Sequence, residues 1–136
     1  MSRAGRTQPC SEAEAGVRLR HARSFADVAA LVADEGDDIE HASVAASLCV
    51  LAGIAASDAA CCLALGRRAR GQDHREAATL VEQVEPGGAE AANSLKRLLG
   101  FKDEAQYGLV DVSGADLRAA LRQARSLVDF AETILS

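Results

Sequence analysis

Apolar residues recur at helical spacing in four long stretches of this chain, and polar or glycine-containing breaks separate them. Ser11-Glu12-Ala13-Glu14 forms a capping box, in which a serine and the acid three residues on satisfy each other's exposed amides at a helix start. Behind it Val17, Ala22, Phe25, Val28, Ala29 and Val32 follow at intervals of three and four, predicting one core-facing stripe with Arg18, Arg20 and Arg23 directed elsewhere. The acidic run Asp34, Glu35, Asp37 and Asp38 ends this helix.

From about Ile39 to Leu65 almost every residue is apolar or small, Asp58 being the single charge after His41, and Gly66 stands where a C-terminal cap belongs. Asp73 is placed to cap a third helix, with Glu76 completing a box and Leu80, Val81 and Val84 on its apolar side. Pro86-Gly87-Gly88 interrupts that helix, and the pattern resumes from Ala89 through Leu95, Leu98, Leu99 and Ala105. Ser113 to Asp116 supplies another cap, and Leu117, Ala120, Leu121, Ala124, Leu127, Val128, Ala131, Ile134 and Leu135 hold one stripe opposite Arg118, Arg122 and Arg125.

This pattern predicts an all-α fold, an antiparallel four-helix bundle over residues 11–136 with a break near Pro86. Residues 1–10, MSRAGRTQPC, carry no apolar period and are expected to be a flexible tail outside the fold. No strand alternation is visible. Composition agrees: Ala occupies 29 of 136 positions and Pro only two, and alanine is the best intrinsic helix former.

The 39–65 stretch is long enough to span a membrane and is followed by Arg67-Arg68-Ala69-Arg70. Against a span, much of it is Ala, Gly and Ser, and Asp58 would cost roughly 2.5–3.5 kcal/mol near a bilayer centre. A central helix surrounded by its neighbours accounts for it better, and no membrane association is expected. The net charge of −5 disfavours binding to duplex DNA through a global positive field.

The four cysteines, Cys10, Cys49, Cys61 and Cys62, include no C-x-x-C pair, and the N-terminus lacks an apolar signal region. Reduced thiols and a cytoplasmic location are therefore expected. Twelve residues of helix separate Cys49 from Cys61 by about 18 Å, so they do not share a metal, and no metal site is expected. The phosphate-loop, dinucleotide, nucleophile-elbow and zinc-protease motifs are all missing, so no cofactor is expected either.

Two polar features stand out. Arg67, Arg68, Arg70, His74 and Arg75 fall within nine positions, and guanidinium groups grip phosphate oxygens, which makes them candidates for binding phosphate or RNA. Equally, the three arginines could offset the negative end of the second helix while Asp73 caps the third. Asp58, a carboxylate inside an apolar helix, needs a partner for a buried polar network. Arg70, His74, Lys102 and Tyr107 are the candidates, either to orient His74 for proton transfer or to fix helix register.

The second half also has a recognisable order: a small-residue helix, the G-x-D-H segment Gly71–His74, then SLKRLLGFKDEAQYG, then VSGADLRAALRQARSLVDFAETIL. Lys102, Ala105, Tyr107, Gly108, Val112, Ser113, Ala124, Leu127 and Val128 carry the pattern. Over roughly residues 17–135 the chain resembles the HEPN superfamily, in its branch related to nucleotidyltransferase-associated helical domains. The resemblance implies an antiparallel four-helix bundle, a homodimer, and a partner such as a nucleotidyltransferase or a place in a bacterial toxin–antitoxin or stress system. Many such proteins are ribonucleases with an Arg and a His four to six residues apart at the end of the third helix.

Here that place reads Lys102-Asp103-Glu104-Ala105-Gln106-Tyr107. Tyrosine lacks a proton-transfer group suited to neutral pH, and lysine lacks the bidentate fork of arginine. The expected function is accordingly a non-catalytic dimeric module that binds a protein partner or a nucleotide or RNA phosphate. One alternative is a metal-independent ribonuclease with His74 as base and Arg68 or Arg70 holding the developing charge. The other is a purely structural assembly subunit.

Overall fold

The computed structural model describes residues 6–35, 39–71, 74–106 and 112–135. Along the chain come β1 (Thr7–Pro9), α1 (Glu12–Asp34), α2 (Ile39–Leu65), β2 (Arg67–Ala69), α3 (Arg75–Val81), α4 (Gly88–Gln106) and α5 (Gly114–Leu135). The chain is thus mainly helical, as its pattern predicts, with one small sheet that the pattern does not predict.

Local chemistry sets most of the helix ends. Ser11 Oγ accepts the Glu14 amide at 3.1 Å, and Glu14 Oε1 accepts the Ser11 amide at 2.9 Å, completing the box at the start of α1. The bond from the Ser11 amide, and after it the Ser11 hydroxyl, hold the Glu14 carboxyl below its ordinary range. Gly66, with φ of +71°, takes the left-handed conformation after α2, and its amide bonds back to the Cys62 carbonyl. Ser113 Oγ accepts the Asp116 amide at the head of α5. The interruption at Pro86 is a full break, with α3 ending at Val81 and α4 starting at Gly88. Asp73 lies outside the described residues, and His74 in the N-cap position of α3 makes no side-chain cap bond.

The core is built around α2, which packs against α1, α3, α4 and α5. Its alanines, with Gly53, let neighbouring helices approach closely: a Cβ on Gly53 would overlap Leu98 Cδ1 and lie 3.2 Å from Leu127 Cδ1. Of the candidate membrane window, 67% is buried inside the protein, so its hydrophobicity is spent on other helices. The α5 stripe is buried at Ala120, Ala124, Leu127, Val128 and Ala131, close to expectation.

In α1 the expected stripe is only half right. Its buried face is Ala15, Leu19, Ala22, Ala26 and Ala29, whereas Val17, Val28 and Leu31 are exposed, Leu31 at 64%. Alanines make up most of this face, and Leu19 is its one large side chain.

The expected tail is the clearest correction. Residues 6–10 belong to the fold: β1 pairs antiparallel with β2, placing Thr7 opposite Ala69, Gln8 opposite Arg68 and Pro9 opposite Arg67. The Cys10 amide donates to the Gly66 carbonyl at 3.0 Å, and the Arg70 amide to the Arg6 carbonyl at 2.8 Å.

Candidate functional site

The turn from α2 into β2 gathers most of the singled-out residues at one end of the protein. Arg67 and Arg68 are half-buried on β2, Arg70 follows the strand, half-buried His74 precedes α3, and exposed Arg75 opens it. Strand alternation sends Arg67 and Arg68 to opposite faces. Arg67 Nη2 donates to Gln83 Oε1 at 3.4 Å, toward α3, whereas Arg68 carries its charge toward Asp58 and Glu14. The connection therefore holds its cations on a backbone fixed by β1.

Asp58 sits beneath this connection, 6% exposed. Its ion-pair partner is Arg18, whose Nη2 donates to Oδ2 at 3.0 Å, a residue outside the expected candidates. The side chain of Lys102 and the whole of Tyr107 lie outside the described residues. Burial pushes the Asp58 carboxyl above its ordinary range, against the opposing pull of Arg18, then of Arg68 and His74. Arg68 and His74 thus both act on one buried carboxylate, so the structure does bring these two candidates together around Asp58.

The apolar stripe read from the sequence of α1 directs Arg18 away from the core, whereas the structure turns it to Asp58. Forty positions separate it from Asp58, and only the antiparallel pairing of α1 with α2 unites them. That pairing has a readable signal: two long helices separated by as few positions as Asp34 and Ile39 pack antiparallel, so the start of α1 lies beside the end of α2.

The same reasoning leads to the cysteines, where the expectation of reduced thiols fails. Cys10 and Cys62 form a disulfide, with Cα atoms 5.4 Å apart. It spans 52 positions and joins the end of β1 to the last turn of α2. A disulfide is uncommon in a reducing compartment outside redox roles, so the cysteines no longer argue for a cytoplasmic location. Cys49 and Cys61 are free and buried, and desolvation pushes both thiols up to about 12. Asp58 raises Cys61 further and Arg67 opposes it.

Chemically, this end can attract an anion through Arg67, Arg68 and Arg70, because the buried carboxylate Asp58 takes its ion-pair partner from Arg18. Among the described residues no three His, Cys, Asp or Glu side chains gather as a metal site. A second concavity, of about 410 Å³, lies between α4 and α5 against Glu90, Asn93, Arg97, Gln123, Ser126 and Phe130. Its lining includes none of the candidate site residues Asp58, Arg67, Arg68, Arg70, His74 and Arg75. Known protein families, curated proteins and solved structures offer no match to this chain.

Proposed function

We propose that the protein is a non-catalytic, HEPN-like binding module whose working surface is the cationic connection between α2 and α3. In this reading α1, α2, the broken α3–α4 pair and α5 are the four helices of an antiparallel bundle. The ligand is a nucleotide or RNA phosphate, gripped by Arg67, Arg68, Arg70 and Arg75 beside His74. The observation that carries the reading is the Arg18–Asp58 pair at 3.0 Å: α1 supplies the ion-pair partner of the buried carboxylate, so Arg67, Arg68 and Arg70 are not required for that pair and can meet an external anion. Exposed Val17, Val28, Leu31, Val44 and Leu51 on α1 and α2 support a homodimer or a protein partner such as a nucleotidyltransferase, since burying them would release apolar surface from water.

The test is titration of a labelled single-stranded RNA with wild type and with an Arg68→Ala/Arg70→Ala variant at several salt concentrations. Wild-type binding should weaken as salt rises, and removal of two phosphate contacts should flatten the log–log slope by about 1.4. An unchanged slope refutes the assignment. One observation favours the ribonuclease alternative, namely that Arg68 and His74 both act on Asp58. The same RNA incubated with chelator separates the readings: cleavage lost in His74→Ala identifies an enzyme, whereas binding without cleavage identifies the module.

A further inference from the structure

We propose that the Cys10–Cys62 bond is a thiol-exchange site that latches β1 onto β2, and that an external dithiol opens it and releases the strand beneath the arginines. The inference concerns the latch itself and stands whatever the cations bind.

Strand β1 has little else to hold it. It is three residues long, Thr7 and Gln8 are half-buried, and Pro9 is exposed. An isolated two-stranded ribbon of this length is marginal in water. Beyond the sheet pairing, the Cys10 amide to Gly66 and the Arg70 amide to Arg6 are the backbone bonds that flank it. The covalent link therefore keeps this strand in place, and the strand in turn pairs with the backbone of Arg67 and Arg68. In contrast, α1 begins at its own capping box one residue later, and its attachment to α2 does not depend on the bond.

The two sulfurs differ in access. Cys62 is 3% exposed, whereas Cys10 is half-buried at the edge of the protein, so an incoming thiolate reaches Cys10 first. The attacking sulfur bonds to Cys10 Sγ, the Sγ–Sγ bond breaks, and Cys62 departs as thiolate and takes a proton. The second thiol of the reductant then displaces Cys10, which also leaves as a thiol. Two electrons pass from the dithiol, which ends as a disulfide. Neighbouring Cys61 does not compete, because it is 2% exposed and stays protonated near neutral pH.

Amide exchange on the full chain tests this, with and without dithiothreitol as the probe. Reduction should raise exchange at the Arg70 and Cys10 amides by about tenfold or more while Ala124, Leu127 and Val128 keep their protection. Cys10→Ser should show the open pattern without reductant and no further response, and Cys61→Ser should respond like wild type. Unchanged protection at Arg70 after reduction overturns the proposal. So does a parallel loss at Ala124–Val128, because the bond is then a staple for the whole fold. Should Cys10→Ser not fold, counting reactive thiols alongside exchange on reduced wild type decides between the same outcomes.

Discussion

The contact of α2 with α4 and α5 and the seam between β1 and β2 are both close, yet different forces hold them. In the first, Gly53 admits Leu98 and Leu127, and with Leu95 all three leucines are at most 1% exposed. Dispersion and burial are spread over many atoms there, so neither pH nor redox state has a group to act on. In the second, beyond the short strand pairing, a disulfide and two flanking backbone bonds carry the load, and the Arg18–Asp58 pair between α1 and α2 is electrostatically coupled to Arg68 of β2. Each of these is a single chemical group that can be reduced, titrated or removed. The protein thus places its responsive chemistry where packing is thinnest.

The comparison breaks most sharply at Leu98. Leu98→Ala deletes buried carbon at the α2–α4–α5 contact and should cost about 3 kcal/mol in chemical denaturation, with the transferred apolar area and the residual cavity both contributing. The loss should be the same with the disulfide intact or reduced. A loss that depends on redox state would show that the two regions are not independent.

Arg18→Ala probes the other region and should have a smaller effect, about 2 kcal/mol near neutral pH, because it leaves Asp58 buried without its ion-pair partner and partial exposure of Arg18 softens the loss. The sign of the pH dependence follows from burial. A carboxyl whose folded pKa is raised contributes stability that is complete below the unfolded pKa and is lost as pH rises through the folded pKa. Without Arg18 the folded value climbs further, so the variant should lose stability more steeply than wild type as pH increases from the ordinary carboxylate range toward neutrality. The penalty should nearly vanish in acid, and adding Asp58→Asn should flatten the curve. A pH-independent penalty would mean that Arg18 acts through packing of its alkyl stem alone.

The same division explains what the sequence made legible. The Ser11–Glu14 box, the Ser113 cap, Gly66, the break at Pro86 and the α5 stripe depend on residues within a few positions of each other, and each can be read from spacing. The strand pairing of Thr7 with Ala69, the Cys10–Cys62 bond and the Arg18–Asp58 pair join residues at least 40 positions apart. They become visible only after α1 is folded back along α2. The face of α1 is hidden for a related reason: size marks Val17 and Val28 as core, but the face that is buried is Ala15, Leu19, Ala22, Ala26 and Ala29. Of the candidate site, the cation cluster and the need of Asp58 for a partner were readable, and the partner itself was not.

Ser11 lies where the two regions meet, directly after the disulfide and at the head of α1. Ser11→Ala removes the acceptor of the Glu14 amide but leaves the reciprocal bond from residue 11's amide to Glu14 Oε1 available. The expected cost is about 1 kcal/mol, the smallest of the three. Because the latch fixes Cys10 one residue earlier, the chain entering α1 is restrained even without the cap. After reduction that restraint is gone, and the first turn of α1 must hold itself by the cap alone. Ser11→Ala should therefore show added amide exchange at Glu14 and Ala15 that grows when dithiothreitol is present, whereas wild type under the same conditions keeps these amides protected. An equal increment in both redox states would place the boundary between the responsive seam and the packed helices before Ser11 rather than within the first turn.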